Sequence, residues 1–189
     1  MVVSVDPSSA WHPVPVCASA EIRWWLQHRE SLTRLIQARS RHFHVEPVFQ
    51  KLATACIDEL ALMKLRRLEQ AMVREVYLYS DEIPVVFAHS VVKKEHLQGA
   101  WRSLSKLGNQ SLGSMLFSNP LIQRTVFSFK KLKSGHPLYD RACRKLETRP
   151  TSLWARRSLF ILHRQPILVT EVFLPKIHHL VLRSAEPLT

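Results

Sequence analysis

Two charged residues stand where two strand-like segments should be apolar, and any fold must account for them. Residues 72–79 read Met72-Val73-Arg74-Glu75-Val76-Tyr77-Leu78-Tyr79. The two-residue period of a strand puts Met72, Arg74, Val76 and Leu78 on one face. Residues 167–174 read Ile167-Leu168-Val169-Thr170-Glu171-Val172-Phe173-Leu174, so Ile167, Val169, Glu171 and Phe173 share a face. Burying a charge costs free energy unless something pairs with it. Three arrangements satisfy this: a small polar pocket in an apolar sheet, a structural ion pair, or edge strands with both residues in water.

A chain of 189 residues fits one domain with a real core. The apolar share of 46% and charged share of 22% are those of a soluble globular protein. The formal net charge of +12 suits nucleic acid, an anionic membrane or an anionic small ligand. The bases fall in small clusters, such as Lys64/Arg66/Arg67, Lys130/Lys131/Lys133 and Arg141/Arg144/Lys145. Such scatter favours a solvated surface over a nucleic-acid groove, so no nucleic-acid partner is expected. Cys17, Cys56 and Cys143 form no paired motif, which argues for a reducing compartment. The start lacks a basic region and a long apolar run, and no stretch approaches the ~18–20 apolar residues of a membrane span. A cytoplasmic, monomeric protein with no integral membrane segment is expected.

Residues 1–18 read as an irregular lead-in, 19–175 as the domain and 176–189 as a tail. Ser19 and Ser31 are candidate caps of two short helices. Strands are expected at 42–52, 71–79, 84–92, 121–130, 153–163 and 167–174, with turns at Ser80-Asp81-Glu82-Ile83 and Arg164-Gln165-Pro166. Helices are expected over 54–69, over 95–107 and from Ser111 to Phe117. The polar segment 132–151 reads as an excursion with one helical turn. The fold class is α+β: about six antiparallel strands with helices packed on one face.

Gly108 and Gly113 flank the start of the Ser111 helix, where free N–H groups can meet a carboxylate. The same pattern also fits an ordinary helix connection. No phosphate-binding loop is present. The pairs His42/His44 and His178/His179 lack a third ligand at convincing spacing, so no metal is expected. Cys56 and Cys143 lack an activating base, and Ser111 and Ser158 lack a triad.

Several blocks, in order, resemble bacterial chorismate lyases. They are Ser31-Leu32-Thr33, Val73-Arg74-Glu75, Leu107-Gly108 through Ser111-Leu112-Gly113 to Leu116-Phe117, Leu153-Trp154-Ala155-Arg156-Arg157-Ser158, and Pro166 through Pro175. The resemblance covers roughly residues 22–175. It implies conversion of chorismate to 4-hydroxybenzoate and pyruvate, the committed step towards ubiquinone, without metal or organic cofactor. It implies a six-stranded antiparallel sheet with the ligand buried under helical flaps. It assigns Arg74 to the ligand carboxylate, the backbone N–H groups of Leu32 and Leu112 to the same ligand, and Glu171 to its hydroxyl end.

The chemistry fits these residue types. A guanidinium matches a carboxylate in bidentate fashion. The reaction breaks a ring ether bond while the ring loses a proton and becomes aromatic, so the protein must mainly hold geometry and exclude water. Desolvated Glu171 is expected to donate a proton or hydrogen bond to the departing ether oxygen. Some relatives carry a second arginine fifteen positions after the first; His89 stands there and is expected to serve the second carboxylate weakly and in a pH-dependent way. Of Arg156 and Arg157, one should face the ligand side and the other water, and alternation alone does not say which. The alternative class is a non-catalytic aromatic-carboxylate binder, as in the sensor domains of transcription regulators with this fold. The roughly 30 residues before the first block are too few for the DNA-binding domain that normally accompanies those sensors.

Overall fold

The computed structural model describes residues 10–180. Helices α1 (Ala20–Gln27) and α2 (Leu32–Gln37) lead into strand β1 (Phe43–Thr54), then α3 (Ile57–Met63), β2 (Gln70–Ser80) and β3 (Ile83–Lys93). After two 3-10 helices, Lys94–Gln98 and Arg102–Lys106, come α4 (Leu112–Ser118), β4 (Gln123–Arg124) and β5 (Ser128–Leu132). Helix α5 (Pro137–Ala142), β6 (Leu153–Leu162) and β7 (Gln165–Phe173) complete the fold.

Among the described residues the sheet has seven strands in the order β1-β2-β3-β7-β6-β4, with β5 also on β6. All pairings are antiparallel. The α+β class is as expected, but the strand count is one higher. The segment 121–130 is two strands, because after Arg124 the chain leaves the ladder. Thr125 hydrogen-bonds Leu159 with both its backbone N–H and its Oγ1, and pairing resumes at Ser128.

Two hairpins set the register. Asp81 and Glu82 both have positive φ, as do His163 and Arg164, the geometry of a tight two-residue turn whose twist matches the strands. The second turn therefore lies one residue before the expected Arg164-Gln165-Pro166. Pro166 is the second residue of β7, opposite Ile161, near the strand start where a missing N–H is tolerated.

Helices cover both faces of the sheet, not one. On the first face, α1 and α2 pack against Val45, Val76, Leu78, Val86 and Phe173. There too, Trp101, Leu104, Leu112 and Leu116 pack against Val92, Phe160 and Ile167. On the reverse face, α3 brings Met63 to Val73, Val91 and Leu168. Helix α5 brings Leu138, Tyr139 and Ala142 to Tyr77, Phe87, Ala155 and Val172. The 132–151 excursion is thus a packed part of the core. His12 bridges Phe129, tying the end of the lead-in to β5, and Ile177 is buried beyond β7. Residues 1–9 of the lead-in and 181–189 of the tail lie outside the described residues.

Candidate active site

The first face of the sheet floors a cavity roofed by α2 and α4. Strand alternation and register place Arg74 beside Ser90, Glu171 beside Ala88 and Arg156 beside Glu171, all on that face. Val76, Leu78, Val169, Phe127 and Phe160 complete a largely apolar wall. The cavity offers about 50 Å3 to the centres of water-sized molecules, several times the roughly 10–15 Å3 that one water needs. Leu32, Arg74, Leu112 and Glu171, the four residues singled out in the sequence, all line it.

Arg74 is buried, and burial pulls its guanidinium below the ordinary value. Its Nε donates to Gln50 Oε1 at 3.0 Å, and its Nη2 to the carbonyls of Gly108 and Gln110 at 2.9 and 3.0 Å. Among the described residues it has no carboxylate partner. A cation buried against neutral acceptors alone is poised for an anion. Positive φ at Gly108 lets the 108–110 loop turn those carbonyls onto it.

Leu32 and Leu112 are the first residues of α2 and α4, where a backbone N–H has no partner within its own helix. Ser31 Oγ accepts from Arg34 N at 3.4 Å, the expected cap. Ser111 does not cap α4; its Oγ instead pairs with Thr33 Oγ1 at 2.6 Å, joining the two roof helices. A Cβ at Gly113 would come within 2.9 Å of Thr33 Oγ1, so this close approach needs glycine.

Glu171 does not pair with Arg74. Its Oε2 accepts from Arg156 Nε at 2.5 Å. Of the two arginines that alternation leaves unresolved, Arg156 is the one on the cavity face, a buried cation 1% exposed. Its Nη1 donates to the carbonyls of Trp25, Leu26 and His28, binding the C-terminal end of α1, where a cation is favoured. Arg157 points to the reverse face and is not solvated: it donates to the Asp58 carbonyl and covers the Trp11 ring. Arg124, which nothing in the sequence marked out, also lines the cavity.

His89 does not serve the ligand side. Its backbone borders the cavity, but its ring lies among reverse-face residues, with Nδ1 2.9 Å from Glu75 and Nε2 3.2 Å from Glu59. Burial opposes its charged form, yet Glu59 and Glu75 outweigh that and raise it to about 9. Arg141 of α5 closes the network on Glu75 at 2.5 Å. Two groups bring possible metal-ligating atoms within 4.8 Å of one another: Cys56, Glu59 and His89, and His42, His44 and Glu82, where Glu82 gives the His42/His44 pair the third partner its spacing did not suggest. Burial and Glu59 push the Cys56 thiol well up, and His89 bridges Glu59 and Glu75 in a buried ion network.

Fold and cavity together define a small-ligand α+β domain with a cationic cavity on one sheet face. Similar folds occur in the C-terminal domain of PhnF (TM-score 0.57, 15% identity, 80% of this chain and 93% of that one). Another is the C-terminal domain of the histidine utilization repressor of Pseudomonas syringae (TM-score 0.56, 15% identity, 77% and 100%). At that identity the likeness is one of fold. Residues 10–182 match the model of the chorismate lyase family. The chain is 70% identical over 178 residues to a probable chorismate pyruvate-lyase of Nitrosomonas eutropha, covering 94% of this chain and all of that one. It is 68% identical to the one from Nitrosomonas europaea, with the same coverage. The chain belongs to the chorismate lyase family.

Proposed function

We propose that this lyase converts chorismate to 4-hydroxybenzoate and pyruvate, supplying the aromatic head group for ubiquinone, with no cofactor. The observation that carries the reading is one cavity with a carboxylate-seeking end and a hydroxyl-seeking end. Arg74, with no acidic partner among the described residues, lines it together with Leu32 and Leu112, the first residues of α2 and α4. Glu171 stands at the other end with one oxygen taken by Arg156.

In this reading the ring carboxylate meets Arg74 and the N–H groups of Leu32 and Leu112. The ring hydroxyl meets the second oxygen of Glu171. The ether bond breaks, its electron pair leaving with the three-carbon fragment as an enolate. The ring gives up the proton on its hydroxyl-bearing carbon and becomes aromatic, and the enolate takes up one proton to become pyruvate. The apolar wall keeps water out, so the fixed dipoles and charges act at low dielectric. Glu171 was expected to donate a proton or hydrogen bond to the ether oxygen; with Oε2 accepting from Arg156, the part proposed here is to hold the hydroxyl end in register.

The test is a cofactor-free assay of the purified protein with chorismate, both products quantified by chromatography. Equimolar 4-hydroxybenzoate and pyruvate are expected. Arg74→Ala should abolish turnover and weaken 4-hydroxybenzoate binding by ~2–5 kcal/mol, the cost of removing a buried charge contact. Binding of 4-hydroxybenzoate by the wild type without turnover would favour the sensor reading instead.

A further inference from the structure

We infer that Arg124 receives the second carboxylate of the substrate, the one on its three-carbon enol ether arm, and so sets the preference for the dianionic substrate over the monoanionic product. The inference rests on the lyase reading above and names a contact that reading lacks.

The cavity charge does not balance without it. Three guanidiniums, Arg74, Arg124 and Arg156, line the cavity against the single carboxylate of Glu171, an excess of two positive charges. A ring carboxylate at Arg74 offsets one. The other must lie where the arm lies. The arm leaves the ring carbon next to the hydroxyl-bearing one, and that hydroxyl faces Glu171; the arm is therefore on the Glu171 side.

Two cations stand there, and Arg124 has more donors to give. Arg156 spends Nε on Glu171 and Nη1 on three carbonyls, which leaves Nη2 alone. Arg124 spends Nη2 on the carbonyl of Arg29, and its Nε and Nη1 have no acceptor among the described residues. Its guanidinium is held by ring faces, which use no N–H: Phe127 at 4.5 Å, Phe117 at 5.3 Å and Phe160 at 5.8 Å. Arg156 lies over Phe127 as well, at 4.4 Å. Burial first, and then the charge of Arg156, lowers Arg124 to about 10, so it stays cationic at neutral pH and an arriving carboxylate relieves the repulsion. His89, the residue expected to take this carboxylate, has both ring nitrogens engaged by glutamates.

The test compares wild type, Arg124→Gln and Arg124→Lys in two measurements: steady-state turnover of chorismate, and calorimetric titration with 4-hydroxybenzoate, which lacks the arm. Arg124→Gln should raise KM for chorismate by roughly tenfold or more while Kd for 4-hydroxybenzoate stays within about twofold. Arg124→Lys should recover part of the loss, since it keeps the charge without the fork. If KM and Kd rise together, Arg124 merely packs the cavity, and the inference is overturned; unchanged values of both overturn it equally. Should Arg124→Gln fail to fold by circular dichroism, Arg124→Lys decides, with KM alone expected to rise. A wild type that does not convert chorismate refutes the lyase reading itself, a result distinct from a wild type that turns over and an Arg124 variant that matches it.

Discussion

At the scale of single residues, what the sequence reveals is the misfit, and what it conceals is the partner. Arg74 and Glu171 stand out because a two-residue period predicts apolar neighbours, and both do line the cavity. That Glu171 pairs with Arg156 depends on β6 lying beside β7 in one register, Arg156 opposite Glu171, which alternation along one strand cannot supply. Arg124 was invisible for the same reason: it is the last residue of a two-residue strand with no pattern of its own. Replacing Arg156 with methionine should destabilise the fold by ~3–5 kcal/mol, because the end of α1 and the Glu171 carboxylate both lose their cation. Chemical denaturation measures it; a loss under ~1 kcal/mol would mean the contacts are incidental. Glu171→Gln should destabilise the fold, since Arg156 loses its anion, and lower kcat by about 100-fold through lost positioning, read from denaturation and from the turnover assay.

At the scale of elements, the start of α2 and the first tight turn were legible because single residues decide them, as Ser31 and Asp81-Glu82 show, whereas Ser19 and Ser111 precede α1 and α4 without capping them. The stretch 95–107 was not. It has helical spacing, yet it folds as two short 3-10 helices because Gln165 grips the break between them. Gln165 Oε1 accepts from Ala100 N and its carbonyl accepts from Trp101 Nε1. A contact 65 residues away overrides local periodicity there. The roof helices α2 and α4 meet at Gly113 and the Thr33–Ser111 hydrogen bond. Gly113→Ala should force them apart, costing ~1–3 kcal/mol and speeding 4-hydroxybenzoate dissociation. Stopped-flow displacement measures the rate; an unchanged off-rate would show that this joint does not gate the cavity.

At the scale of the whole molecule, the sheet separates two polar systems by face. The first face holds the cavity; the reverse face holds His89, Glu59, Glu75 and Arg141, locking α3 and α5 to the sheet. This network makes stability depend on pH with a definite sign. His89 is raised from an ordinary value of 6.5 to about 9, so its contribution is full below about 6.5 and fades as pH rises through about 9. Burial opposes the charged forms of Glu59 and Glu75, but His89 and their hydrogen bonds prevail and both are lowered. Their contribution is present above about 4.5 and lost as pH falls. The network should therefore stabilise most between about pH 4.5 and 6.5. Denaturation series across pH should show a decline from 6.5 to 9 that His89→Gln removes; the same decline in that variant would place its origin elsewhere. The sequence offered Glu75 and His89 only as residues on opposite strands, and the α3 and α5 partners came from helices that it placed on the other side or read as an excursion.

The most direct measurement is a crystal structure with 4-hydroxybenzoate bound. The account predicts the ring in this cavity, its carboxylate on Arg74 and the N–H groups of Leu32 and Leu112, and its hydroxyl on Glu171. A ligand bound elsewhere, or turned end for end with its carboxylate toward Arg156, would contradict it.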